Sequence, residues 1–166
     1  NNGAYKYFDN DDSSEENKIL DYSSEEIENK LRVESSSRFD GYRLNFGANL
    51  DLVTYTNSTQ QQRFYGDGIL NIDYNTSLNL VKWGLFAQAS KSIFDERLSL
   101  SLGVRADANN YSPSMNNFLD QVSPRFSASY SLTSQWSLNF NTGRYYQLPP
   151  YTSLGFKQND VLVNKV

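Results

Sequence analysis

The chain has 166 residues, no cysteine, no histidine and a formal net charge of −4, and its mean hydropathy is −0.65. No apolar run approaches the roughly 18 residues of a helical membrane span. The acidic balance excludes a phosphate-neutralising nucleic-acid surface, and the missing Cys and His exclude thiolate metal sites and imidazole bases. Aromatic residues make up 14% of the chain, an excess that suits the interfacial girdles of a membrane barrel, an all-β sandwich or a ligand-binding surface.

Residues 1–24 are polar and acidic and are expected to form an acidic loop. Asp9, Asp11 and Ser13 have the alternate spacing of calcium-loop ligands, but the glycine such a loop needs for its sharp turn is missing. Residues 25–56 read as a hairpin. Its first strand, 27–36, sets Ile27, Leu31 and Val33 against Glu26, Glu28, Lys30, Arg32 and Glu34; by propensity alone a helix is an equal alternative. After a short turn at 37–41, the stretch 42–56 alternates cleanly, with Tyr42, Leu44, Phe46, Ala48, Leu50 and Leu52 in the apolar row. The polar row holds Arg43, Asn45, Gly47, Asn49 and Asp51. A register with Val33 opposite Leu44 would set Glu34 opposite Arg43, a cross-strand ion pair worth roughly 0.2–1 kcal/mol.

Residues 57–81 are expected to be a long loop, although 69–74 alternates and could extend the sheet. Asn57-Ser58-Thr59 matches a glycosylation acceptor, relevant only to a secreted eukaryotic protein. From 82 to 148 four more strands are predicted, at 83–93, 98–109, 122–132 and 136–147. The links 94–97 and 133–135 are short and 110–121 is long. Arg105, Asp107 and Arg125 project to the polar face, and a register with Asp107 opposite Arg125 is expected. Gly47, Gly84, Gly103 and Gly143 share that face, where glycine marks strand curvature or a close approach. Pro149-Pro150 ends the last strand, and 149–166 is expected to be an outer loop. Tyr145, Tyr146 and Tyr151 cluster there as candidate ligand contacts, or as part of an aromatic belt.

The pattern is all-β, with about six antiparallel up-and-down strands. A soluble sandwich would turn the apolar row inward, whereas a transmembrane barrel turns it towards lipid. Short links alternating with long ones favour the barrel. A glycoside hydrolase fragment would need paired carboxylates, and no Asp or Glu sits in a recognisable catalytic setting. The soluble alternative is a carbohydrate-binding β-sandwich, which predicts that 98–108 is protected in a core.

The run from Ser123-Pro124-Arg125 through Phe126-Ser127-Ala128-Ser129-Tyr130, then Trp136 to Asn141, then Gly143-Arg144-Tyr145-Tyr146-Gln147-Leu148-Pro149-Pro150-Tyr151, resembles the barrel of TonB-dependent outer-membrane receptors of the Bacteroidetes type. Lys82-Trp83-Gly84-Leu85-Phe86-Ala87-Gln88 and Leu102-Gly103-Val104-Arg105-Ala106-Asp107 are similar to that family as well. The resemblance implies a transmembrane β-barrel segment of a larger barrel. Plugged transporters of this kind have 22 strands, which at about 20 residues per strand amounts to roughly 450 residues. It also implies active uptake of a scarce solute (ferric chelate, vitamin or glycan) with no cofactor and no covalent chemistry. The implied partners are outer-membrane lipid, a plug domain outside this chain, a TonB-type energy-coupling protein and a surface lipoprotein. Glu34, Arg43, Arg105, Asp107 and Arg125 would then face the lumen and plug, and Tyr145, Tyr146 and Tyr151 the outer mouth.

Overall fold

The computed structural model describes residues 2–9, 18–66, 68–158 and 161–165, the side chains of Phe64 and Tyr65 excepted. Asp11 and Ser13 of the acidic run lie outside the described residues. One antiparallel sheet is built from β1 (Asn2–Phe8), β2 (Lys18–Phe39), β3 (Tyr42–Tyr65), β4 (Gly68–Ile93), β5 (Leu98–Asn109), β6 (Val122–Ser131) and β7 (Ser137–Gly143). Its spatial order is its chain order, the up-and-down arrangement expected, with seven strands in place of six. A helical turn, α1 (Tyr151–Leu154), and a two-residue ribbon, β8 (Lys157–Gln158) with β9 (Val161–Leu162), follow.

The predicted loops are where the chain departs from expectation. The acidic stretch 1–24 holds β1, paired with β2 from Asn2↔Glu25 to Phe8↔Lys18. The stretch 57–81 is strand on both sides of Gly66, whose φ is 57°. Thr, Ser, Asn and Gln hide the alternation there, because both faces carry polar atoms, while the ladder bonds satisfy the backbone whatever the side chains are. Asn57 is a buried strand residue bonded to Thr59 rather than an exposed acceptor. The last strand stops at Gly143, short of the 147 expected.

The β2–β3 turn is tighter than expected. Asp40 (φ 48°) and Gly41 (φ 75°) form a two-residue loop, and positive φ at both centres matches the right-handed twist of the flanking strands. Closing Phe39 on Tyr42 and counting back without a bulge brings Glu34 level with Gly47, not with Arg43. In keeping with this, a Cβ on Gly47 would strike the Val33 carbonyl.

Contacts divide the chain into two compact units. One comprises Asn1–Asn29, Leu52–Leu80 and Pro149–Val166; the other comprises Lys30–Asp51 and Val81–Leu148. β2, β3 and β4 contribute residues to both. In each unit the central strands alternate, but the chemical sense differs. In the second unit the exposed row is the apolar one: Leu102 is 64% exposed, Val104 46% and Leu138 64%. On its polar row Asn49, Gly84, Arg105 and Asp107 are half-buried or buried, while Glu34, Arg43 and Arg125 are exposed. A soluble sandwich needs 98–108 in its core, and the exposure of Leu102 and Val104 contradicts it. In the first unit the order is the ordinary one for water. Val53, Tyr55, Leu78 and Leu80 are buried, and Thr54, Ser58, Ser77 and Asn79 are exposed.

The outward row of β3 is apolar from Tyr42 to Leu52 and polar from Thr54 on, and that of β4 is polar from Asn71 to Asn79 and apolar from Val81 to Ile93 apart from Lys91. In β4 the outward apolar row runs from Trp83 to Ile93. At about 3.3 Å per residue and a tilt near 45° that stretch rises roughly 25 Å, the height of the apolar band of an outer-membrane barrel.

Candidate functional site

The polar face of the second unit is built in layers, each fixed by strand register. β4 pairs with β5 so that Gly84 faces Asp107, Phe86 faces Arg105 and Gln88 faces Gly103. Arg105 grips Asp107 on its own strand through two bonds of 2.6 Å, and its second amino group donates to Asn49 Oδ1 at 3.0 Å. Gly84 is what admits this cluster, since a Cβ there would strike Asp107 Oδ1 and lie 2.7 Å from Asn49 Oδ1. Next to it, Lys82 Nζ sits 3.6 Å from Asp51. In a setting screened from bulk water, such forked charge-assisted bonds hold both side chains in one geometry.

Adjacent on the same face, the Phe86 ring lies over Gly47, where a Cβ would come within 2.7 Å of it. The Arg32 guanidinium stacks on Phe86, 4.4 Å from its centroid, and Arg32 also holds Glu34 at 2.8 Å. Gly143 repeats the device, with Tyr145 folded back over it. Three of the four polar-face glycines thus stand where a Cβ would crowd a neighbouring side chain. Nearer the short turns the β4–β6 part of this face is small and uncharged. Gln88 donates to Ser101 at 2.8 Å, Ser92 and Ser99 share a bond of 2.9 Å, and Ser99↔Ser129 and Ser101↔Ser127 continue the rows into β6.

Several expected pairings do not form. Glu34 pairs with Arg32, and Arg43 has no ion-pair partner among the described residues. Asp107 does not meet Arg125: β5 pairs with β6 so that Arg125 faces Gly103, and the ladder ends at Ala106↔Val122. The cause is the 110–121 connection. Two short 3-10 turns, Ser114–Asn116 and Phe118–Gln121, fold against the end of β5, where Ala108, Asn109, Tyr111 and Ser112 are buried. β6 starts only after them, four residues off the anticipated register. Arg125 instead lies 4.8 Å from the Tyr145 ring centroid, and Arg144 lies 4.6 Å from that of Tyr146. Asn49, Asp51, Lys82, Phe86 and Arg32 were passed over as site residues, although their place on the polar row was legible by counting in twos.

Tyr151 belongs to the other compact unit. Its hydroxyl donates to Glu28 at 2.7 Å and its ring lies 6.0 Å from that of Tyr55. Around it α1 and the residues after it cover the buried row. Thr76 Oγ1 donates to the Gly155 carbonyl, Leu154 is 1% exposed, and Phe156 packs edge-on to Tyr74. Burial pushes the Tyr55 phenol above its ordinary pKa, with Tyr22 adding to the shift. Tyr55 Oη and Asn57 Nδ2 are buried with no hydrogen-bond partner within bonding geometry among the described residues. At the β1–β2 hairpin, Lys18 bonds Asp21 at 2.9 Å and holds its carboxyl below the usual carboxylate range. No group of three potential metal ligands occurs among the described residues.

An exposed apolar row, a half-buried polar row and an up-and-down sheet are the wall of a transmembrane barrel seen from both faces. Residues 1–164 match the family described as TonB dependent receptor-like, beta-barrel. The chain belongs to that family. No curated protein and no solved structure matches it. TonB-dependent receptors are transporters of the bacterial outer membrane, not an enzyme family, and they work with a plug domain and a TonB protein.

Proposed function

We propose that this segment forms part of the lumen wall of an importer that takes up a scarce solute, a ferric chelate, a vitamin or a glycan, driven by a TonB-type energy-coupling protein. The observation that carries the reading is the change of sense along β3 and β4. The outward row of β3 is apolar from Tyr42 to Leu52 and polar from Thr54 on, and that of β4 is polar from Asn71 to Asn79 and apolar from Val81, as a wall standing in a membrane requires. The polar row then faces the plug, with Arg105 and Asp107 as a fixed charged pair and Glu34, Arg43 and Arg125 on the same face. Tyr145, Tyr146 and Tyr151 belong to the outer mouth, where a surface lipoprotein would also dock. The barrel holds the plug and presents loops, and it performs no bond chemistry.

The test is uptake by cells expressing the full-length receptor, offered ferric chelates, cobalamin and oligosaccharides in turn. Energy-coupled import predicts accumulation of one class that stops when the proton-motive force is collapsed. Accumulation that survives the collapse identifies a diffusion pore instead and overturns the importer reading.

A further inference from the structure

Among the strands of the second unit, the outward apolar row carries one charged side chain, Lys91. It pairs with Leu100 across β4–β5, between Ala89 facing Leu102 and Ile93 facing Leu98. Its ammonium lies 4.1 Å from the centroid of the Tyr42 ring, and its stem passes the Asp40–Gly41 turn, with Cε 3.8 Å from where a Gly41 Cβ would stand. Acids stand in both adjoining turns, Asp40 beside Gly41 and Asp95 and Glu96 after β4, yet Lys91 has no ion-pair partner among the described residues. The aromatics at the turn ends of these strands are exposed: Phe39 is 74% exposed and Phe94 68%.

A lysine in a lipid-facing row is tolerated where its stem runs along apolar surface and its head reaches the interface. Lys91 stands two residues from the end of β4, at the level where Tyr42, Phe39 and Phe94 form the aromatic girdle of the short-turn side. An unneutralised ammonium held on an aromatic face at that level meets headgroups, not acyl chains. We propose that Lys91, seated on Tyr42, binds the phosphate of an anionic phospholipid in the leaflet at the short-turn end. The protein supplies the cation and a flat ring for the glycerol region, and the lipid supplies the anion that Asp40, Asp95 and Glu96 do not.

This rests on the membrane-wall reading above. The experiment reconstitutes the full-length receptor and its Lys91→Arg and Lys91→Met variants in phosphatidylcholine vesicles with and without phosphatidylglycerol. Insertion is scored by heat-modifiable gel mobility, and bound lipid by native mass spectrometry after extraction. Expected is retention of phosphatidylglycerol by the wild type and the Arg variant, and at least a threefold loss by the Met variant with insertion unchanged. Equal retention by the Met variant overturns the lipid site and leaves the barrel standing. Failure of the wild type to insert overturns the barrel reading, and the lipid site with it.

Discussion

A methyl group added at Gly47 has nowhere to go. It meets the Val33 carbonyl, which the sheet holds in place, and the Phe86 ring, on which the Arg32 guanidinium stacks. Gly103 is different, for a Cβ there finds ordinary contacts at 3.6–3.7 Å. Gly47→Ala is therefore expected to destabilise the full-length barrel by about 1–3 kcal/mol through overpacking, and Gly103→Ala to stay within about 0.5 kcal/mol. Urea unfolding in vesicles measures both, and equal costs would remove the argument that Gly47 is kept for the ring. The same reasoning explains Gly84: the fork of Arg105 on Asp107 and Asn49 fills the space that a side chain would take.

At the scale of the strand, the two faces differ in what they tolerate. Leu102 stands mid-row on the outward face and Ser101, its neighbour, on the inward one, bonded to Gln88. In vesicles, Leu102→Arg is expected to cost about 2–4 kcal/mol, as a charge near the bilayer midplane does, and Ser101→Arg much less. The contrast would vanish if the outward row met water. The turn after β4 carries strain of another kind. Phe94, Asp95 and Glu96 have φ of 55°, 53° and 66°, a left-handed run without glycine. A four-residue link had been expected there, and nothing in its composition announced that geometry.

For the whole molecule, β1 and β7 each pair on one side only among the described residues, so the sheet has two edges. An open edge in hydrocarbon leaves N–H and C=O groups unsatisfied, so seven strands need further strands to close around a lumen. Residues 1–166 alone, mixed with vesicles, are expected to aggregate without a heat-modifiable band, and the full-length receptor to give one. A stable inserted species from the 166 residues would show that the edges pair by some other means.

The sequence by itself determined the fold class and the two rows. Alternation in twos is a local property of a strand, so β5, predicted at 98–109, has those bounds in the structure. The short links were legible for the same reason. Tertiary structure alone decided which medium each row meets, since a sandwich and a barrel write the same alternation and differ only in which face is covered. It also decided the pairings. Register depends on how the connections fold, and the 3-10 turns of 110–121 moved Arg125 away from Asp107 and towards Tyr145, a shift that no local pattern encodes. While 42–56 and the alternation at 69–74 are legible, the polar strand residues 57–65 and 75–81 escape the reading, because water outside and mixed residues inside blur the pattern. Backbone pairing with neighbouring strands, rather than side-chain chemistry, holds them in the sheet.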